Sequence, residues 1–251
     1  MLQVVEHFLS IQGEGAAAGR LAVFIRLAGC NLKCQGFGVS AKSPKTGQSL
    51  RGCDTLRAVA VGHFGFLRLS ADELVGTVQE YGKAAKPIVV ITGGEPFIQQ
   101  NRAEFARLLW LLDELGYEIH FETNATITPD FKTLAVLKKC HFAMSVKLAL
   151  SGESEARRIN KDAIRTIAAN AKGAAFKFVL SGRADELENE LAEVARIAAI
   201  SPTTPVWLMP LGANKAELER HAPAVAAAAI RLGYNYTDRL HIRLWNDKEG
   251  V

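Results

Sequence analysis

The sequence has little that would direct the chain to a membrane or out of the cell. It opens without a basic segment followed by an apolar run, and no apolar stretch approaches the roughly 20 residues that span a bilayer. Internal repeats, a low-complexity tail and a clear linker are also absent. With 251 residues, 49% of them apolar, the chain can bury one full core. We therefore expect a soluble, cytoplasmic protein with no membrane partner and a single domain, residues 1–251.

Cysteine is scarce too, and three of the four cysteines lie close together, at Cys30, Cys34 and Cys53. Such a cluster in a long chain does not suggest a secreted disulfide framework, so it favours metal or redox chemistry in a reducing compartment. Zinc would need a fourth ligand, from Cys140 or a distant histidine. Three thiolates on a four-iron cluster would leave one iron open for another ligand. The spacing alone leaves an iron–sulfur site, a zinc site and inert buried thiols as alternatives.

Dense runs of basic residues are missing, although the net charge is +4 and the pI is near 8.9. Scattered charge is weak support for nucleic-acid binding, and a pocket for a small anion explains it equally well. Five histidines show no ligand spacing, and we interpret them as structural or surface groups. They are His7, His63, His120, His141 and His221, whereas His241 is interpreted as a residue of the predicted last strand.

Strand-like and helix-like segments alternate along the chain. Strands are predicted at 21–27, 87–94, 117–123, 141–147, 174–180, 205–210 and 239–245. Helices are predicted at 70–82, 101–115, 161–171, 184–199 and 214–232, with a short one after Pro129. Ser70 and Glu73 form a capping box, and Pro223 predicts a kink or break in the last helix. Six or seven such βα units indicate an α/β protein, either a barrel, a partial barrel or a doubly wound sheet.

Polar motifs fall where these strands end. They are Arg26 to Cys53, the TGGEP segment 92–96, the ETN segment 122–124, the SVK segment 145–147 and Met209-Pro210. In α/β folds the loops that leave the carboxyl ends of the strands build the active site. We therefore expect the site at this end of the sheet.

Taken together, these motifs resemble the radical S-adenosylmethionine superfamily. A strand that ends in CxxxC, a third cysteine followed by Asp54-Thr55, and an apolar strand that ends in GGEP carry the resemblance. The order SIQGEG, FIRLAGCN, CDT, ITGGEP and ETN is similar to the 7-carboxy-7-deazaguanine synthase family, with specific motifs over residues 1–147. The resemblance implies a partial (βα)6-type TIM-like barrel. The superfamily pattern is CxxxCxxC, so the chain departs from it by an insertion at about 35–52, and the third cysteine corresponds to Cys53.

The resemblance also implies which residues build the site. A [4Fe–4S] cluster would be held by Cys30, Cys34 and Cys53, and Mg²⁺ by Thr55. S-adenosyl-L-methionine would contact Gly93, Gly94, Glu95, Glu122, Ser145 and Lys147. The substrate would contact Ile11, Gln12, Gly13, Arg26, Thr92 and the terminal carboxylate of Val251.

Several of these residues have ordinary structural alternatives. Thr55 could be a helix N-cap, and Arg26 could pair with Glu14 or Glu122. Val146 replaces the proline of the family's Ser-Pro-Lys motif. The last segment, RLHIRLWNDKEGV, also departs from the family, so Arg243 or Trp245 could contact the substrate there.

The function implied is that of a lyase in queuosine and 7-deazapurine biosynthesis, a pathway of tRNA modification. A 5′-deoxyadenosyl radical would take hydrogen from C6 of 6-carboxy-5,6,7,8-tetrahydropterin, and ring contraction with loss of ammonia would give 7-carboxy-7-deazaguanine. The implied partners are the pterin, a reductant such as flavodoxin and a second copy of the chain, with no direct nucleic acid. One alternative is a radical activase of a partner protein. The other is a zinc-stabilised nucleic-acid-binding protein, which would leave GGEP and ETN unexplained.

Overall fold

The computed structural model describes residues 1–248 and 250. The predicted substrate contact at Val251 lies outside the described residues. Among the helices of the described part, none combines the length and apolar character needed to cross a membrane.

Strands and helices alternate over most of the chain. The strands are β1 (Leu2–Ile11), β2 (Leu21–Leu27), β3 (Val39–Lys42), β4 (Ser49–Gly52), β5 (Leu67–Leu69), β6 (Ile88–Gly93), β7 (Ile119–Thr123), β8 (His141–Met144), β9 (Gly173–Leu180), β10 (Val206–Pro210) and β11 (Asn235–Tyr236). The α-helices are α1 (Leu56–Val59), α2 (Val61–Phe64), α3 (Ala71–Tyr81), α4 (Ala103–Glu114), α5 (Glu155–Arg158), α6 (Lys161–Asn170), α7 (Leu187–Ala198), α8 (Lys215–Leu232) and α9 (Leu240–Trp245). Short 3₁₀ helices lie at Gly15–Ala17, Gln35–Phe37, Pro96–Gln99, Ala135–Lys139 and Ala149–Ser151.

One nine-stranded sheet organises the molecule, in the order β11-β10-β9-β8-β7-β6-β2-β1-β5. The strands from β2 to β11 in this order pair in parallel, whereas β1 pairs antiparallel with both β2 and β5. Because β11 and β5 form the two edges, the sheet is open. The predicted partial α/β barrel is therefore confirmed.

The two faces of the sheet bury different residues. Alternation along β2 sends Val23, Ile25 and Leu27 to the large core that the helices cover, and Ala22 and Phe24 to a smaller cluster on the other face. We call this second face the inner face. β6 is buried at every position, as expected for a central parallel strand.

Aromatic packing in the large core fixes the GGEP loop. Phe97 follows Pro96 directly and is 1% exposed. The centroid of its ring lies 4.9 Å from the ring centroid of Phe121 in β7 and 5.8 Å from that of Phe142 in β8. Truncating so buried an aromatic residue to alanine costs about 3–5 kcal/mol. The loop after β6 is thus anchored on the two strands that carry the next polar motifs.

The capping box at the start of α3 is confirmed. The Ser70 hydroxyl accepts from the backbone N–H of Glu73 at 3.3 Å, and the Glu73 carboxylate accepts from the backbone N–H of Ser70 at 2.7 Å. These two bonds satisfy donors that a helix start leaves unpaired. Helix α8 runs unbroken through Pro223, so the prediction of a break there is wrong. Pro223 is exposed, and water can hydrate the carbonyl that it leaves free.

The prediction of a strand at 239–245 is also wrong, because this segment forms α9. The apolar alternation of Leu240, Ile242 and Leu244 suggested a strand, yet Leu244 is 47% exposed. The edge position was already taken by β11, whose Asn235 and Tyr236 pair with Trp207 and Leu208. A two-residue strand is too short for sequence periodicity to reveal.

Candidate active site

The insertion between Cys34 and Cys53 folds back on itself. Strands β3 and β4 form an antiparallel hairpin in which Val39 lies opposite Gly52. A Cβ on Gly52 would lie 3.3 Å from the backbone oxygen of Lys33. The two ends of the insertion therefore meet beside the CxxxC segment, and the hairpin brings Cys53 back to the other two cysteines.

The three thiols lie close together, with Cys34 buried and Cys30 and Cys53 half-buried. Burial, as the largest cause, raises the pKa of the Cys30 thiol to about 11 and that of Cys34 to about 12, and negative charge on Cys53 contributes to both shifts. Cys34 is also held at φ 47°, in the left-handed region that non-glycine residues rarely occupy. These cysteines form a specialised loop rather than part of a core strand.

The spacing of the thiols indicates what they can hold. Ligands on one tetrahedral zinc ion, with Zn–S bonds of about 2.3 Å, lie about 3.8 Å apart. Within residues 1–248 and 250, the three sulfur atoms do not form a group whose members all lie within 4.8 Å of one another. A cluster of four irons holds its thiolates farther apart than a single ion does. The donor set fits the cluster, and Cys30, Cys34 and Cys53 would hold it.

Thr55 lies directly beside this group. Its Oγ1 is 3.2 Å from the sulfur of Cys53. It also stands at the N-cap position of α1, but its side chain makes no capping hydrogen bond. The hydroxyl is thus available at the cluster end of the sheet, as a Mg²⁺ ligand would have to be.

The glycines of GGEP allow β6 to approach the cysteine loop. A Cβ on Gly94 would lie 2.2 Å from the oxygen of Gly29 and 2.6 Å from the Cβ of Cys30. Gly93, at φ +142°, would meet the oxygen of Leu27 at 2.1 Å. No side chain fits at either position, so the close packing of the two strand ends depends on glycine.

The carboxylate of Glu95 is turned into the protein interior, away from solvent. It is fully buried and accepts from Thr123 Oγ1 at 2.9 Å and from the backbone N–H groups of Asn124 and Phe97, at 2.7 and 3.1 Å. Burial raises its pKa to about 7. The side chain therefore links the GGEP loop to the ETN segment, a positioning role that the sequence did not predict.

The next two motifs also meet at the cysteines. Asn124 donates to Asn31 Oδ1 at 3.1 Å, within the CxxxC loop. Ser145 donates its backbone N–H to Thr123 at 2.7 Å, and Lys147 donates to Ser145 Oγ at 3.1 Å. Lys147 is close enough to favour the ionised forms of Cys30 and Cys34. The fold thus gathers the predicted cofactor residues, except Glu122, around the cysteine loop.

Glu122 belongs to a second group, a buried polar network on the inner face. Gln12 Nε2 lies 3.4 Å from Glu122 Oε1, and Thr92 Oγ1 donates to Glu122 Oε2 at 2.9 Å. Lys177 joins Glu122, at 3.3 Å, to Glu14, at 2.5 Å. Four strands or strand ends therefore contribute to one polar patch.

Arg239 extends the network to the cysteine loop. Its guanidinium donates to Glu14 at 3.0 Å, to the Gly212 carbonyl at 2.7 Å and to Asp54, the residue after Cys53. We call Gln12, Glu14, Thr92, Glu122, Lys177 and Arg239 the inner-face network. It lies beside the cysteine loop at the carboxyl ends of the strands, where the motifs predicted a site.

Opposite charges hold Glu14, Lys177 and Arg239 in their ionised forms. Burial alone would raise the pKa of Glu14, but Lys177 and Arg239 outweigh it and keep that pKa well below its usual range. In the same way burial would lower the pKa of Lys177, but Glu122 and Glu14 raise it. The patch thus presents two carboxylates and two cations in a buried setting.

Three predicted substrate residues stand at the margin of this network. Arg26 donates to Glu6 at 2.7 Å, so its partner is neither Glu14 nor Glu122. It nevertheless lies beside Thr92, its register partner on β6, on the inner face. Ile11 ends β1, and Gly13 accepts from the backbone N–H of Leu240 at 2.9 Å.

Sequence reasoning missed Lys177, Arg239 and the network role of Glu14. Lys177 could have been found, because it is a lone charged residue inside the apolar run AAFKFVL. Arg239 could not, because the wrong strand assignment at 239–245 hid its position.

Comparisons with known proteins give a family match for this chain. Residues 11–167 match the family model described as a 4Fe-4S single cluster domain. The chain is 34% identical to the 7-carboxy-7-deazaguanine synthase of Halobacterium salinarum, over 98% of this chain and 91% of that protein. For the synthase of Hyperthermus butylicus the identity is 30%, over 96% and 92%.

A solved structure shares the fold. The crystal structure of QueE from Escherichia coli superposes with a TM-score of 0.63 at 22% identity, covering 96% of this chain and 94% of that one. At this identity the likeness shows the fold alone, whereas the full-length sequence relatives show the family. The resemblance found in the motifs is confirmed: the chain belongs to the family of 7-carboxy-7-deazaguanine synthases.

Proposed function

We propose that this protein converts 6-carboxy-5,6,7,8-tetrahydropterin to 7-carboxy-7-deazaguanine with release of ammonia, as a radical S-adenosylmethionine enzyme in queuosine and 7-deazapurine biosynthesis. The observation that carries the proposal is the meeting of three thiols with a buried polar network at the carboxyl ends of one parallel sheet. The names of the full-length relatives support the substrate and product.

The cysteine loop is the cofactor end of the proposed site. Cys30, Cys34 and Cys53 hold a [4Fe–4S] cluster, which when bound supplies the electron that cleaves S-adenosylmethionine. Gly93 and Gly94 let the backbone of the GGEP loop approach the methionine end of S-adenosylmethionine. The buried carboxylate of Glu95 holds that loop in position through its hydrogen bonds.

Ser145 and Lys147 complete the cofactor end with a hydroxyl and an ammonium near the cysteines. Lys147 lies where it can pair with the carboxylate of S-adenosylmethionine. Thr55 ligates Mg²⁺ beside Cys53, with oxygen donors that this ion prefers.

The inner-face network is the substrate end. The pyrimidine ring of a pterin presents N–H donors, which carboxylates such as Glu122 and Glu14 accept. Gln12 and Thr92 add groups that both donate and accept. Lys177 pairs with both carboxylates and Arg239 pairs with Glu14, and these contacts fix the carboxylates in direction, so that the ring binds in one orientation.

Arg26 is the proposed partner of the substrate carboxylate, next to Thr92. It would exchange Glu6 for the substrate, because a planar guanidinium binds a carboxylate through two parallel hydrogen bonds. Ile11 and Gly13 border the ring.

We propose that a flavodoxin-like acidic protein reduces this enzyme in the cytoplasm, and that the chain works as a homodimer of single-domain subunits. The segment from Lys33 to Arg51 supports an acidic reductant, because it has no aspartate or glutamate. Its exposed basic residues are Lys33, Lys42, Lys45 and Arg51. Such a surface beside the cluster ligands favours an acidic partner.

An anaerobic assay tests the function. The protein is reconstituted with iron and sulfide, and reductant, S-adenosylmethionine, Mg²⁺ and 6-carboxytetrahydropterin are added. We expect a brown protein and a product lighter than the pterin by the mass of ammonia. Cys53→Ala should lose both colour and product, whereas Cys140→Ala, outside the loop, should keep both. Cleavage of S-adenosylmethionine with the pterin left intact would contradict the proposed substrate, and a colourless zinc protein would contradict the radical chemistry.

A further inference from the structure

A group of side chains of metal-ligating types lies at the other end of the strands from the cysteine loop. Nε2 of His120 is 2.7 Å from Oε1 of Glu118, and Nε2 of His141 is 3.6 Å from the same oxygen. Each residue offers a ligand atom within 4.8 Å of the others, and no other such trio of Cys, His, Asp or Glu occurs in residues 1–248 and 250. We call Glu118, His120 and His141 the histidine trio.

The sheet itself creates the trio. His120 in β7 is the register partner of His141 in β8, and their rings stack with centroids 4.7 Å apart. Glu118 precedes β7 and lies two residues before His120, so it points to the same inner face. From Glu118 to Asn124 at the cysteine end, the strand rise of about 3.3 Å per residue gives roughly 20 Å. The trio is therefore well away from the cysteine loop, whereas the network residue Glu122 follows His120 by two positions on the same face of β7.

We propose that the histidine trio binds one Zn²⁺ or a similar divalent transition-metal ion. Two imidazoles and one carboxylate are an established ligand set for zinc with a further position for water. Nitrogen and oxygen ligands at about 2.0–2.1 Å in tetrahedral geometry lie about 3.3–3.4 Å apart. The distances of 2.7 and 3.6 Å from Glu118 Oε1 lie on either side of this value. Because the two rings are stacked at an interplanar angle of 18°, one imidazole must turn out of the stack for both nitrogens to face the same ion.

Two features of the surroundings favour an ion over a plain hydrogen-bond network. Nε2 of His141 is buried and has no hydrogen-bond partner, which leaves a polar atom uncompensated. Arg20 donates to both oxygens of Glu118, at 2.8 and 2.9 Å. Such an outer partner orients a metal-binding carboxylate while lone pairs remain for the ion.

The chemistry also selects the class of ion. Imidazole suits zinc and its neighbours, whereas Mg²⁺ prefers an all-oxygen shell. Burial lowers the pKa of both His120 and His141, which keeps the imidazoles neutral and able to coordinate. Arg20 holds the pKa of Glu118 at about 2, so the carboxylate is ionised. The bound ion would join β7 to β8 at the end of the strands away from the cysteine loop.

Zinc K-edge X-ray absorption on the cluster-loaded enzyme tests the proposal, because it separates the trio from the cysteines. The enzyme is reconstituted anaerobically, equilibrated with one equivalent of Zn²⁺ and desalted. We expect one zinc per chain with nitrogen and oxygen neighbours at about 2.0–2.1 Å. Sulfur neighbours at about 2.3 Å, or no retained zinc, would overturn the proposal. This readout does not depend on the proposed enzymatic function.

Two variants of the trio test which residues bind the ion. Glu118→Gln and His141→Asn should each weaken zinc binding at least tenfold in equilibrium dialysis, with circular dichroism showing that the fold is retained. His63→Asn is the control, since His63 bonds to Ser43 in the hairpin region, away from the trio, and it should leave zinc binding unchanged. Two alternative results would overturn the assignment: zinc binding that survives in both trio variants, or zinc binding lost equally in His63→Asn.

Discussion

The thiols of Cys30 and Cys34 lie in surroundings that oppose ionisation, with pKa values raised to about 11 and about 12. Because the thiolate is the reactive form, we expect cluster-free protein to alkylate slowly at these positions. At pH 8, iodoacetamide should modify Cys30 roughly 100-fold more slowly than a free thiol. The rate should rise about tenfold per pH unit up to pH 10. Peptide mapping by mass spectrometry measures it, and a plateau below pH 9 would contradict the raised pKa.

Lys177 is the central cation of the inner-face network. Its loss removes the charge partner of Glu122 and one of the two charge partners of Glu14. Lys177→Met should lower the free energy of unfolding by about 3–5 kcal/mol at pH 7. Glu14, whose folded pKa is depressed, contributes stability above its unfolded pKa near 4.3 and loses it as the pH falls. The deficit of the variant should therefore shrink below pH 4.3.

Urea unfolding at pH 7 and pH 4 measures this deficit. Lys139→Met is the matched control, because Lys139 pairs with Asp113 at 2.7 Å but is 67% exposed. Exposed pairs contribute at most about 1 kcal/mol. Equal losses in the two variants would show that the network carries no special stability.

The sequence predicted the positions of single residues unevenly. Cys30, Cys34, Cys53 and Thr55 lie near one another, because their motif fixes both residue type and neighbourhood, and their roles as ligands stay predictions. The internal partners of Glu95 were not predictable, because Thr123 and Asn124 reach it only after β6 and β7 pair. A hydrogen-bond partner twenty or more residues away leaves no local pattern in the sequence.

At the level of elements, the join between β2 and β6 depends on the two glycines of GGEP. Gly94→Ala would place a Cβ 2.2 Å from Gly29 O, and the strand ends must then separate. We expect this variant to keep its helical circular dichroism but to retain less than a tenth of the wild-type iron. Iron and sulfide analysis after reconstitution measures the loss.

Gly76→Ala is the control for this experiment. Gly76 lies in α3, and an added Cβ would meet nothing within 4 Å. Because alanine is the better helix former, this variant should bind iron normally and gain about 0.5–1 kcal/mol of stability. Normal iron content in Gly94→Ala would contradict the proposed role of the strand join.

Elements with a strong local pattern were predicted well, and those set by tertiary contacts were not. β2 and the capped α3 follow from β-branched residues and a capping box. Helix α9 replaces a predicted strand because Arg239 is drawn into the ion network and Leu240 bonds to Gly13. Both partners lie more than 200 positions away in the chain, where periodicity carries no information.

On the scale of the whole molecule, one segment connects the two sides of the open sheet. β11 is one edge of the sheet, whereas Gly13 and Glu14 follow β1 near the other. The chain after β11 spans this distance: Arg239 bonds to Glu14 and to Asp54, and Leu240 donates to Gly13 at 2.9 Å. This segment therefore links the last strand to the first strand and to the cysteine loop.

Removing Arg239 should open that connection. Arg239 is 7% exposed, so Arg239→Ala leaves Glu14 without one of its two buried cations and should cost about 3–5 kcal/mol. We expect the amides of α9 to exchange with deuterium at least tenfold faster, followed by those around Asp54, while β6 and β7 stay protected. Hydrogen exchange with mass spectrometry measures these regions separately. Arg243→Ala is the control in the same helix, because Arg243 pairs with the part-exposed Asp238 at 2.8 Å and should change exchange little. Unchanged protection of α9 in Arg239→Ala would mean that the helix docks without the ion network. The connection across the sheet would then depend on the backbone hydrogen bond from Leu240 to Gly13.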